Sequence, residues 1–157
     1  MLRFSVIVRA ALLFIVVAAA GAGCRREIGD ECTTAADCNP NGSRQCDATQ
    51  PGGYCTIQGC DETSCPEEAL CIRYFPSQFL TQPCTPNTTP TGCSADEICV
   101  EGRCARQSTE LRYCVKSCES NDDCRSGYEC RLAGTRGSIA LTTNPNAKPS
   151  FCAPAAN

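Results

Sequence analysis

Seventeen cysteines in 157 residues leave this chain few ways to fold. Cys24 stands apart at the end of an apolar N-terminal run, and the other sixteen lie between Cys32 and Cys152. So much cysteine in a small chain marks a disulfide scaffold. A scaffold of this kind replaces a large apolar core with covalent closure. Each bridge around a loop of about 15 residues is worth roughly 3 kcal/mol. The chain needs that help, because Trp is absent, aromatics make up 6%, and there are 12 Gly and 10 Pro. Sixteen thiols do not stay free outside a reducing cytosol, so an oxidising compartment is expected.

The N-terminus explains the odd cysteine. Arg3 and Arg9 precede an unbroken apolar stretch from Ala10 to Ala20, followed by Gly21-Ala22-Gly23-Cys24. A positive start, a short apolar run and small residues before a cut form a signal peptide. The run is shorter than the roughly 20 residues a membrane span needs. Ala22-Gly23-Cys24 resembles a bacterial lipobox, with Gly21 where that family prefers Leu. The resemblance implies cleavage after residue 23, acylation of Cys24 and attachment to a membrane through lipid. The rival is an ordinary cut after Ala20 or Ala22, leaving Cys24 a free thiol. Removing Cys24 leaves an even number of cysteines, which can pair completely.

The remaining cysteines repeat. One set is Cys32, Cys38, Cys46, Cys55, Cys60, Cys65, Cys71 and Cys84; the other is Cys93, Cys99, Cys104, Cys114, Cys118, Cys124, Cys130 and Cys152. Intervening lengths are 5, 7, 8, 4, 4, 5 and 12, then 5, 4, 9, 3, 5, 5 and 21. Tyr54-Cys55 matches Tyr113-Cys114 in this register. The expected organisation is a signal segment 1–23, a tether 24–31, a module 32–84, a polar linker 85–92, a second module 93–152 and a tail 153–157. Eight cysteines permit on the order of a hundred pairings, so connectivity stays open.

Strand signals are short. Glu97 to Cys104 predicts a hairpin turning at Glu101-Gly102. Tyr128 to Leu132 and Ser138 to Thr142 predict two strands around Gly134 to Gly137. Leu70 to Phe75, returning through Phe79 to Thr81, predicts a counterpart in the first set. No segment after the signal carries a long helical period. The fold class is therefore small and disulfide-rich: two tandem irregular β-hairpin modules with little regular secondary structure, after a helical signal segment.

Gly29-Asp30-Glu31-Cys32-x5-Cys38 and Cys118-x5-Cys124-x-x-Gly127-Tyr128-x-Cys130 resemble the modules of exported cysteine-rich repeat proteins, bacterial lipoproteins among them. Dickkopf-like and EB-type extracellular modules share the acidic dipeptide before a cysteine. The resemblance implies binding or spacing rather than catalysis.

Candidate chemistry is sparse. There is no histidine, which excludes Ser-His and Cys-His nucleophiles within the chain. No C-x2-C is present, so no thioredoxin-like motif is suggested. One C-x3-C (Cys114, Cys118) and three C-x4-C pairs have zinc-knuckle spacing. Without histidine and in an oxidising compartment, disulfides are expected to win, and neither metal nor cofactor is expected. Asp61-Glu62, Glu67-Glu68, Asp96-Glu97 and Asp122-Asp123 are adjacent acids, best read as solvated, with Asp122-Asp123 capping a turn. Net charge is −3 with signs interspersed, and no basic stripe points to nucleic acid. Tyr74, Phe75 and Phe79 are either partner-contact anchors or packing for the disulfides. Arg136, in the Cys130–Cys152 loop, offers the basic residue of a protease inhibitor. The reading that results is a non-enzymatic, lipid-anchored envelope protein that binds an unknown protein or envelope polymer, with secreted or anchored protease inhibition as the alternative.

Overall fold

A computed structural model describes residues 26–39, 42–86, 91–144 and 149–156. The signal segment, Cys24 and part of the 85–92 linker lie outside them. Short strands are what this sequence can support. Among the described residues the only α-helix is α1, Ala35–Cys38. The strands are β1 (Gln45–Cys46), β2 (Cys55–Thr56), β3 (Ala69–Tyr74), β4 (Leu80–Pro83), β5 (Glu97–Val100), β6 (Arg103–Arg106), β7 (Leu111–Cys118), β8 (Tyr128–Leu132), β9 (Ser138–Leu141) and β10 (Ser150–Pro154). They form a five-stranded sheet in the order β8-β10-β7-β3-β9, a three-stranded sheet β4-β6-β5, and the β1–β2 ladder.

The Glu101-Gly102 turn forms as predicted. Val100 pairs with Arg103, and both turn residues have positive φ, 50° and 79°, as a two-residue primed turn requires. Glu101 does a second job: its Oε2 accepts the Gly137 N–H at 3.0 Å, tying the small sheet to the large one. The other expected strands also form, but not as hairpins. β8 and β9 lie on opposite edges of the large sheet. β3 pairs with β7 and β9, whereas β4 pairs with β6. Local turns did not decide these pairings; the longer apolar face shared by β3 and β7 did. Leu70, Ile72 and Tyr74 stand opposite Val115, Tyr113 and Leu111.

All sixteen described cysteines are bridged, and the fold is small, disulfide-rich and mostly β. The bonds are Cys32–Cys46, Cys38–Cys55, Cys60–Cys71, Cys65–Cys114, Cys84–Cys99, Cys93–Cys104, Cys118–Cys130 and Cys124–Cys152. The pairs obey one rule. In each of four four-cysteine units the first bonds the third and the second bonds the fourth. The units are 32/38/46/55, 60/65/71/114, 84/93/99/104 and 118/124/130/152. The third is nested inside the second, between Cys71 and Cys114. Hence Cys65–Cys114 and Cys84–Cys99 cross between the two sets of eight, and the bridges join the sets rather than close each one. The physical cause is the β3–β7 ladder, which holds Cys71 opposite Cys114 and brings Cys65 within reach.

Disulfides sit among the apolar side chains. The main cluster joins Ile28, Ile72, Val115, Phe151 and Ala153 to Cys60, Cys71 and Cys114. Phe75, Val100 and Ala105 form a separate cluster between the two larger sheets. Residues 26–31 do not hang free as a tether. Ile28 is fully buried, and Gly29 N–H and Asp30 C=O bond to Cys55 at 3.0 and 2.9 Å. Gly53 lets the next turn close, because a Cβ there would lie 1.9 Å from the Cys32 carbonyl oxygen.

The acidic pairs expected at the surface include turn caps and a salt-bridge partner. Asp123 accepts the Ser120 and Glu119 N–H groups at 2.9 Å each. Asp37, five residues after Cys32, accepts those of Thr33 and Thr34 at 2.9 and 2.8 Å. Glu68 pairs with Arg44 at 3.0 Å. The backbone donors hold both aspartates below the usual carboxylate range. A carboxyl depressed by folding contributes stability above its unfolded value, about pH 4, and loses it as pH falls through the lower folded value. Asp37→Ala and Asp123→Ala are therefore expected to lower the melting midpoint at pH 7. Circular-dichroism melts should show the deficit narrowing below about pH 4; a deficit constant down to strong acid would contradict the capping role.

Candidate functional site

A cleft of about 360 Å³ lies over one face of the five-stranded sheet. All four tyrosines of the chain line it: Tyr54, Tyr74, Tyr113 and Tyr128. Strand alternation puts Leu111, Tyr113 and Val115 of β7 on the same face as Tyr74 of β3. Tyr128 comes from the start of β8. Tyr54 arrives from the loop between β1 and β2, which lies across the sheet and also supplies Asp47, Thr49 and Gln50.

The rings are held in two pairs. Tyr54 and Tyr128 stack with centroids 5.5 Å apart. Tyr74 and Tyr113 are tilted at 6.3 Å, and Phe151, on the same sheet face, packs against Tyr74 in a T-shaped contact at 6.1 Å. Arg125 locks the first pair. Its guanidinium lies 4.3 Å from the Tyr128 centroid and 5.8 Å from that of Tyr54. It also donates to the Tyr128 hydroxyl at 2.7 Å, to Pro51 C=O at 2.8 Å and to Gly53 C=O. Thus a residue of the fourth cysteine unit fixes a loop of the first.

The hydroxyls differ in how they are used. Tyr54 accepts the Lys116 N–H at 3.0 Å and donates to Cys152 C=O at 3.5 Å. Tyr128 donates to Pro51 C=O at 3.1 Å. Neither Tyr74 nor Tyr113 has a hydroxyl hydrogen bond among the described residues. Burial pushes Tyr54 up to about 12 and raises Tyr74 and Tyr128 as well. These three hydroxyls are protonated donors at neutral pH. Arg131 closes one side of the cleft and is bonded to Glu129 and the Pro154 C=O.

The residues singled out from sequence fall in different places. Phe75 is buried, Tyr74 lines the cleft, and Phe79 is exposed. Arg136 is exposed in the turn before β9 and pairs with Glu129 at 3.4 Å. Its φ of 51° is left-handed, unlike the extended backbone of a segment added to a partner's sheet. Four groups of cysteine sulfurs lie within 4.8 Å of one another. Each group belongs to two adjacent disulfides, so it offers no thiolate to a metal.

The cleft is not visible along the chain, because its tyrosines share no period. The repeated Tyr-Cys dipeptides at Tyr54 and Tyr113 are the one signal that points to it. No family model, curated protein or solved structure matches this chain. Eight disulfides assign it to an extracellular-type, oxidising compartment. Among the described residues no helix is long and apolar enough to cross a membrane.

Proposed function

We propose that this protein is a non-enzymatic binding module of the bacterial cell envelope, acylated at Cys24 and held rigid by its disulfides. The convergence of four tyrosines in one cleft carries the reading. Aromatic rings supply much contact area at little conformational cost and are common binding anchors. A mostly apolar cleft with a few polar groups is the usual form of a ligand site. The ligand is an envelope polymer or an envelope protein. Nucleic acid is not a candidate partner for so acidic and mixed a surface.

The anchor and the body are close together on this reading. The chain joins the core at Ile28, four residues after Cys24, a reach of at most about 14 Å. The module would then ride directly on the bilayer surface. No observation favours protease inhibition through Arg136.

Two measurements test the proposal together. Intact mass of the protein from an expressing bacterium should show an acylated species beginning at Cys24, taking up sixteen thiol labels only after reduction. A disulfide-intact chain without Cys24, and so without lipid, should still sediment with envelope fragments, and its Tyr74→Ala/Tyr113→Ala variant should sediment much less. An unacylated chain would remove the anchor. Equal sedimentation of the double variant would remove the cleft.

A further inference from the structure

We infer that the tyrosine cleft receives an uncharged saccharide, one or two sugar rings of a neutral glycan. This rests on the reading of the protein as an envelope binding module and names the ligand class of that same site.

Charge narrows the ligand first. The charged side chains lining the cleft are Asp47 and Arg131. Arg131 is already committed: Nε and Nη2 donate to Glu129 at 3.1 and 2.8 Å, and Nη2 donates to the Pro154 C=O at 2.7 Å. An anionic ligand would compete with Glu129 for that guanidinium and face Asp47 as well. A cationic ligand fares no better. The Arg125 guanidinium already covers Tyr128 and Tyr54, two of the four rings a quaternary ammonium would use, and with Arg131 it puts two like charges beside any cation on the others.

The polar groups left over fit hydroxyls. The Tyr74 and Tyr113 hydroxyls and the Gln50 amide make no hydrogen bond among the described residues. Each both donates and accepts, as a sugar hydroxyl does. One Asp47 oxygen is engaged by Thr49, at 3.0 Å from its N–H and 2.6 Å from its hydroxyl, which leaves the other carboxylate oxygen as an acceptor. Between these groups lie ring surfaces whose negative faces attract the weakly positive C–H groups of a pyranose.

The backbone argues against a peptide. β3 pairs with β7 and β9 on its two sides. β7 pairs with β3 on one side and on the other with residues 57–59 and β10. The strands bearing Tyr74 and Tyr113 therefore offer no free ladder to an added strand, the commonest way an extended peptide is held on a sheet. A ligand here is gripped by side chains. The volume, about 360 Å³, is near the lower end of the roughly 300–1,000 Å³ of ligand pockets and suits one or two rings.

The chain contains no Trp, so its intrinsic fluorescence comes from the four tyrosines of the cleft. The disulfide-intact chain is titrated with uncharged tetrasaccharides of glucose, mannose, galactose and N-acetylglucosamine, and separately with a proline-rich decapeptide and with choline. A saturable fluorescence change is expected with at least one saccharide and with neither of the others. Tyr74→Phe should weaken that binding about fivefold at an unchanged melting midpoint, because the lost hydroxyl has no partner among the described residues. Gln50→Ala, in the surface loop, should weaken it similarly. Saccharide binding that neither variant reduces would overturn the assignment, and so would a response to the peptide or choline alone. Envelope fragments offered to the chain without Cys24, and so without lipid, separate the two levels of the proposal. Sedimentation abolished by periodate but not by protease supports the glycan. Sedimentation that survives periodate and fails after protease overturns the glycan and leaves the binding module. No sedimentation with untreated fragments overturns both.

Discussion

Replacing Cys65 and Cys114 together by alanine is expected to lower the unfolding free energy by about 4 kcal/mol. The same change at Cys60 and Cys71 should cost about 3 kcal/mol. The difference follows from loop length. Cys65–Cys114 spans 49 residues and Cys60–Cys71 only 11. The longer the loop, the more freedom its closure removes from the unfolded chain. Alanine is the right replacement because Cys60, Cys71 and Cys114 are buried, where a serine hydroxyl would add a cost of its own. Cys65–Cys114 also encloses the entire third cysteine unit, which is inserted between β3 and β7. Without the bond, only hydrogen-bonded pairing of β7 with β3, residues 57–59 and Glu68 would hold the sheet across that insertion. Chemical denaturation of the two double variants, with the other seven bridges intact in each, reads the ranking directly. A larger loss from the Cys60–Cys71 variant would mean that the chain halves are joined by packing rather than by the crossing bond.

The same insertion explains how much of the fold could be read from the sequence. Features set by a few neighbouring residues were legible. The Glu101-Gly102 turn formed with its expected hairpin, strands appear at Tyr128–Leu132 and Ser138–Leu141, and Asp123 caps its turn as proposed. Even the match of Tyr54-Cys55 with Tyr113-Cys114 was meaningful, since both tyrosines reach one cleft. What could not be read was which strand meets which. β3 finds β7 only after the chain has looped out through a complete two-disulfide unit. A spacing rule that takes cysteines in sequence order assigns Cys65 and Cys84 to one closed module, whereas β pairing sends each to a partner beyond the linker. The tyrosine cleft depends on those same non-local pairings. Tyr54, Tyr74, Tyr113 and Tyr128 come from a loop and three strands, with no local pattern to link them.

Phe151 joins that non-local core to the cleft, and Phe151→Ala is expected to cost about 3–5 kcal/mol. The side chain is fully buried on β10, between Arg131 and Ser117 in the strand register, and its ring supports Tyr74 edge-on. Deleting it leaves a cavity that bridged strands on both sides cannot easily collapse. The effect should therefore reach the site. Phe151→Leu keeps most of the apolar volume and should lose less stability, but it removes the ring packed against Tyr74. Denaturant midpoints for both variants give the stability cost, and tyrosine fluorescence during ligand titration gives the cleft's response. Weaker binding by the folded Phe151→Leu variant is the expected result. Full binding despite the lost ring contact would mean that Tyr74 is positioned by its strand alone, with Phe151 supplying stability and no site geometry.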